Sequence, residues 1–225
     1  MRGALLALLL ATSGCGGYGL MQTAHTEPPR KGSASFGLNA VSNKLSGVAG
    51  RSTLDAVSLQ AAPRIGLAPH VDIGLQPWMY MGGRADVKVD VLAPHERLAV
   101  APRAGAGFAA GSKTRTLMGM AGAILSYRVT RGFEPYLAAT YADNWITRPK
   151  LDVTLASGES LAPRTNTGDG LVQLTVGFEW SGRSAGFLAE YNLWFPANND
   201  PGDGYAFVPT EVFSIGFDFF SPLRH

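Results

Sequence analysis

The sequence predicts an all-β fold, an antiparallel up-and-down transmembrane β-barrel of about ten strands, with eight as the alternative count. Three observations carry this prediction. Long segments alternate apolar residues with polar or small ones at period two, the signature of strands with two different faces. Most of these segments run about 10 residues or more, as tilted membrane strands must and soluble strands rarely do. The connections alternate between tight turns and longer loops. Composition agrees: the 225 residues are 46% hydrophobic and only 16% charged. No internal run approaches the roughly 20 apolar residues of a spanning helix. Abundant glycine (28) and proline (14) disfavour helices. The net charge of +2, without a dense basic cluster, argues against nucleic acid.

The chain opens with a short positive segment, Met1-Arg2, and an apolar run from Ala4 to Ala11. That run has signal-peptide length and is too short to span as a helix. Thr12-Ser13-Gly14-Cys15 follows and resembles the bacterial lipobox, although that motif usually has Leu where Thr12 stands. The resemblance implies cleavage after residue 14, diacylation of Cys15 and, because Gly16 is not the Asp of inner-membrane retention, sorting to the outer membrane. The implied anchor lies in the periplasmic leaflet. Cys15 is the only cysteine, so no intramolecular disulfide forms. Three regions result: a signal peptide over 1–14, a lipidated periplasmic tether over 15–32, and the barrel over 33–221.

The expected strands are 33–42, 54–67, 71–80, 83–92, 97–109, 114–128, 133–145, 170–181, 185–196 and 210–220. Leu171 to Trp180 alternates most cleanly, with Val172, Leu174, Val176, Phe178 and Trp180 on one face. Phe213, Ile215, Phe217 and Phe219 do the same in the last strand. Tight turns at 68–70, 93–96, 129–132 and 181–184 read as periplasmic; 43–53, 146–169 and 197–209 read as external loops. An even strand count places both termini on the periplasmic side. Trp78, Tyr80, Tyr127, Phe133, Tyr136, Trp145, Trp180, Phe195 and Phe220 gather near strand ends, as interfacial girdles would;. Pro63, Pro77, Pro102 and Pro135 run against the pattern, because a closed barrel has no edge strand for proline; they are expected at bulges or strand ends, or the strands are shorter than drawn. The aromatic-rich strand 210–220 and the lipobox-like start resemble small lipidated outer-membrane barrel proteins of proteobacteria; the tail Ser221–His225 departs from that pattern. A soluble periplasmic β-sandwich is the runner-up fold.

With the apolar face toward lipid, the opposite face lines the lumen. The expected lumenal charge network is Arg64, Asp86, Lys88, Asp90, Arg103, Arg128, Glu134, Glu179, Glu190 and Asp218, joined by Asp72, Gln76 and Asn192. Buried charges are costly unless paired, so these are expected to pair across a narrow interior and fix the barrel's shape. Gly37, Gly66, Gly74, Gly105, Gly107, Gly122 and Gly177 also face inward and leave space.

No cofactor or metal site is expected. The oxygen-rich stretch 197–204 lacks EF-hand spacing and its closing Glu. All four histidines, His25, His70, His95 and His225, fall in the tether, the tight turns and the tail, which leaves none for a lumenal or external triad. A carboxylate-only site on Asp143, Asp152 or Glu159 has no further support. The resulting expectation is a non-enzymatic envelope scaffold or interaction module in the bacterial outer membrane, contacting lipids and, through loop 146–169, envelope proteins. A narrow pore or small-ligand carrier is the alternative, and an enzyme stands third. Loop 146–169 is itself expected to fold as an external hairpin.

Overall fold

Period-two alternation becomes ten long strands that close on themselves. The computed structural model describes residues 19–43, 56–78, 82–92, 97–110, 115–147, 153–154, 160–161, 167–182, 184–197 and 210–220. The strands are β1 (Gly32–Asn43), β2 (Ala56–Ala68), β3 (Val71–Trp78), β4 (Gly82–Val89), β5 (Leu98–Ala110), β6 (Arg115–Tyr127) and β7 (Phe133–Thr147), then β10 (Thr167–Ser181), β11 (Ala185–Pro196) and β12 (Thr210–Phe220). Between β7 and β10, the two-residue strands β8 (Val153–Thr154) and β9 (Ser160–Leu161) pair antiparallel, the hairpin expected within 146–169. Each barrel strand pairs antiparallel with its neighbours, and β1 closes on β12 from Ser33↔Phe220 to Asn43↔Thr210. The count is ten. β1 begins and β12 ends at the tight-turn end.

Burial follows the pleat. On β12, Phe213, Ile215, Phe217 and Phe219 are exposed while Val212, Ser214 and Asp218 are buried. The outer surface is apolar and the inner one largely polar, the reverse of a soluble protein. Near the tight-turn end a chain of rings runs round the exterior. Phe133 meets Phe178 at 5.7 Å, Phe178 meets Phe187 at 6.2 Å, and Phe187 meets Phe217 at 5.8 Å. Trp180, 68% exposed, stands beside Phe133. This belt spans β7, β10, β11 and β12, and Phe36–Phe219 extends it to β1. Tyr136, assigned by sequence to the girdle, is instead buried in the lumen, because it shares the pleat parity of Glu134 and Thr140. The side chains of Trp78, Trp145 and Phe220, and residue Tyr80, lie outside the described residues.

The prolines interrupt nothing. β2, β3, β5 and β7 run continuously through Pro63, Pro77, Pro102 and Pro135. The register shift in this region falls at Gly66/Ala68 instead. Each proline forgoes one ladder bond, a loss the closed sheet absorbs.

Candidate functional site in the barrel lumen

The lumen contains the chain's own residues 19–28. The sequence reading placed this stretch in a periplasmic tether; the structure puts it inside the barrel. Leu20, Met21, Gln22, Thr23, Ala24 and Glu27 are all buried. A run without hydrophobic periodicity gives no sequence signal for this position, because it forms neither helix nor strand.

The wall holds the segment mainly by its main chain. Gln60 on β2 pairs with Gly19 in both directions, accepting from its N–H at 3.1 Å and donating to its carbonyl at 3.0 Å. Glu190 on β11 accepts the N–H of Leu20 at 2.8 Å and also that of Met21. Met21 has φ 51°, a left-handed conformation that helps consecutive N–H groups converge on one anion. Ser35 donates to the Met21 carbonyl at 3.2 Å. Lys88, fully enclosed, donates to the carbonyls of Thr23 and His25, each at 2.8 Å. Asp72 accepts the N–H of Glu27 at 3.0 Å. Near the base, Arg30 donates to the Gly66 carbonyl at 2.9 Å and Gly66 to that of Lys31 at 2.9 Å. A Cβ at Gly66 would collide with the carbonyls of Glu27 and Pro28, and one at Gly37 with the Met21 side chain. Glycine at these inward positions gives the segment room.

An apolar patch lies among the polar side chains on β5, β6 and β7. Leu20 and Ala24 pack with Ala99, Ala101, Ile124, Tyr136 and Ala138 of β5, β6 and β7. Burying Leu20 alone contributes on the order of 2 kcal/mol. A cavity of about 10 Å³ remains beside Leu20, Met21, Arg64, Gln76 and Arg84, about the room one water needs.

The expected charged residues lie on the lumenal side, but their pairing runs along the wall rather than across it. Arg64 sits between Asp72 and Asp86: its Nε donates to Asp72 at 2.9 Å, and Nη1 and Nη2 reach Asp86 Oδ2 at 3.1 Å. Lys88 Nζ lies 3.5 Å from Asp72. These four residues occupy the adjacent strands β2, β3 and β4, and Asp72 and Lys88 also bond the main chain of segment 19–28. Arg103 Nη2 donates to Thr140 at 2.9 Å. Glu134 accepts from Ser126 at 2.6 Å, with Arg128 Nε at 3.5 Å on the half-exposed rim. Tyr136 donates to Glu190 at 2.6 Å. Glu179 and Asp218 are buried on the same face, as is Asn192, which accepts from Gln173 at 2.8 Å and Thr175 at 2.7 Å. Arg84, Gln60, Asn39, Ser35 and Tyr136 belong to this lining and were absent from the sequence-based set. Their parity with Asp86, Arg64 and Glu134 was the available signal.

One histidine assignment needs correction. His25 lies in the lumen, 3.8 Å from Asp90 and 3.6 Å from Glu134. The absence of lumenal histidine therefore no longer argues against catalysis. His70 occupies the β2–β3 turn with φ 66°. Cys15, His95, Asp152, Glu159, most of 197–204 and His225 lie outside the described residues. Among the described residues no group of three or more His, Cys, Asp or Glu side chains is arranged to hold a metal.

The apolar exterior, polar lumen and ten-strand closure define a transmembrane β-barrel of the outer-membrane type. No family model and no curated relative matches the sequence. Among solved structures, the outer membrane protease OmpT of Escherichia coli is similar in fold, with TM-score 0.52 and 11% identity over 86% of this chain and 97% of that one. Ail, the attachment invasion locus protein of Yersinia pestis, aligns with TM-score 0.39 and 10% identity over 86% of this chain and 99% of that one. Neisserial surface protein A aligns with TM-score 0.39 and 13% identity over 84% and 95%.

Proposed function

We propose that this chain resides in a bacterial outer membrane as a self-plugged, non-enzymatic barrel, a scaffold or interaction module rather than a conduit. One observation carries the reading: segment 19–28 fills the lumen and is bonded to the wall through its own backbone. Asp72, Asp86 and Glu190 are engaged by Arg64, Lys88, Tyr136 and the segment's N–H groups, and Glu134 by Ser126 and Arg128. The lipobox-like Thr12–Cys15 supports acylation of Cys15. On a rigid plugged barrel, recognition falls to the external loops, and loop 146–169 is the surface we assign to an envelope partner.

Two measurements test this. The full-length protein in planar bilayers should stay silent across salts and voltages; steady conductance would favour the pore. Cross-linked envelope proteins should co-purify with the full-length chain and be lost when 148–166 is deleted. An unchanged partner set would remove this loop from the reading.

A further inference from the structure

We propose that the tight-turn rim of the barrel, centred on Arg97, Arg128 and Arg131, is a docking surface for anionic phospholipid headgroups. This rests on the reading of the chain as a membrane barrel.

Charge is sorted by depth at this end. Glu27, Asp72, Asp90, Glu134 and Asp218 are all buried. Arg30, Arg97 and Arg131 are exposed, and Lys31 and Arg128 are half-exposed. Among the described residues, the half-exposed carboxylates are Asp143 and Glu211, toward the long-loop end. Basic side chains thus form a collar at the tight-turn end, with the acids behind them in the lumen.

Three of these arginines make one cluster. The main-chain N–H of Arg128 donates to the Arg97 carbonyl at 2.7 Å, which extends the β5–β6 register beyond Leu98↔Tyr127. Arg97 and Arg128 therefore stand directly opposite each other, and like charges so placed repel. Arg131 follows in the turn into β7. Glu134 lies 3.5 Å from Arg128 Nε, while its other oxygen accepts from Ser126. Three guanidiniums against one buried carboxylate leave positive charge in excess. The guanidinium fork matches phosphate oxygens bidentately, so a phosphodiester among these arginines turns repulsion into attraction.

The surrounding side chains favour a lipid over a soluble anion. Leu98, Tyr127 and Val129 are exposed and adjoin Arg97 and Arg128 in the chain. The Ser181 N–H donates to the Gly132 carbonyl at 2.8 Å, which ties the Arg131 turn to the strand carrying Trp180. Trp180 and Phe133 open the aromatic belt there. One phospholipid can place its phosphate at the arginines and its acyl chains on the adjoining apolar face. Arginine stems lie along apolar surface while their heads reach the polar layer.

The test uses the full-length protein. Flotation with phosphatidylcholine and with phosphatidylglycerol vesicles comes first; a chain that floats with neither overturns the membrane-barrel reading, and the proposal with it. Protein inserted in an equal mixture of the two lipids is then released into neutral detergent, and the lipids it retains are counted by native mass spectrometry. The wild type should retain phosphatidylglycerol several-fold over phosphatidylcholine, and less so in about 0.5 M NaCl. Arg97→Gln with Arg131→Gln spares the Arg128–Glu134 contact and should remove most of the preference, at about fivefold for each basic residue. Arg97→Lys with Arg131→Lys keeps the charge and should keep most of it. Equal retention of both lipids by the wild type, an unchanged preference in the Gln variant, or equal losses in the Gln and Lys variants overturns the proposal. Inorganic phosphate and polyglutamate are added as soluble competitors. Full displacement of phosphatidylglycerol by either at equal charge would assign the cluster to a free anion or an acidic protein, and the lipid assignment falls.

Discussion

Glu190, on the eleventh strand, accepts the backbone N–H of Leu20 at 2.8 Å across 170 residues of sequence. The same carboxylate takes the N–H of Met21 and the hydroxyl of Tyr136. One buried side chain thus fixes the N-terminal segment to the wall.

Glu190→Ala leaves two main-chain donors and the Tyr136 hydroxyl without their acceptor and takes one of two acceptors from the Asn192 amide. Buried unsatisfied groups cost about 1–3 kcal/mol each, so the unfolding temperature on heat-modifiable gels should fall clearly. Glu190→Gln keeps an acceptor oxygen and should recover part of the loss. Equal loss in both variants would show that both oxygens must accept, since the Gln amide turns one of them into a donor facing a donor of the segment.

Deleting residues 19–28 should convert a silent barrel into a conducting one in planar bilayers, because the remaining lumen is lined by Arg64, Asp86, Lys88 and Glu190. A silent deletion variant that still shows barrel mobility on gels would mean that the wall side chains collapse inward and close the lumen themselves.

Gly66→Val should mimic the deletion more mildly. Its Cβ would meet the carbonyls of Glu27 and Pro28, and the backbone there has no rotamer to change. Protease cleavage near Arg30 should rise several-fold in the variant. Unchanged cleavage would place the strain in β2 instead.

Arg64→Met takes from Asp72 and Asp86 the guanidinium they share, leaving Lys88 3.5 Å from Asp72. Breaking a buried pair costs about 3–5 kcal/mol, read here by guanidinium unfolding in detergent. Adding Asp72→Asn and Asp86→Asn should return much of it, since removing the whole charged group is often near neutral. A triple variant no better than the single one would assign the cost to lost packing.

Arginine substitutions should report depth on the outer face. Ile215→Arg, on the exposed face at the middle of β12, should cost about 2–4 kcal/mol;. Trp180→Arg, at the belt, should add at most about 1 kcal/mol for the charge itself. Equal costs would mean that the belt does not mark an interface.

The sequence by itself determined the barrel. Alternation in Leu171–Trp180 and Phe213–Phe219, strand lengths of about ten or more, and tight turns at 68–70 and 181–184 are local properties. Strand pairing between chain neighbours follows from them. The inward parity of Arg64, Asp86, Lys88 and Glu190 was legible for the same reason. Alternation faded in β5 and β6, where both faces carry Ala and Gly, so the apolar inner patch of Ala99, Ala101 and Ala138 gave no contrast. Only the tertiary structure decided what fills the barrel. Residues 19–28 have no period, and their partners at Gln60, Asp72, Lys88 and Glu190 are far away in sequence. Their position depends largely on main-chain hydrogen bonds, which every residue offers, and the packing of Leu20 and Ala24 follows no helical or strand period. That placement moved His25 into the lumen, turned the charge pairing from across the barrel to along its wall, and made a tether into a plug.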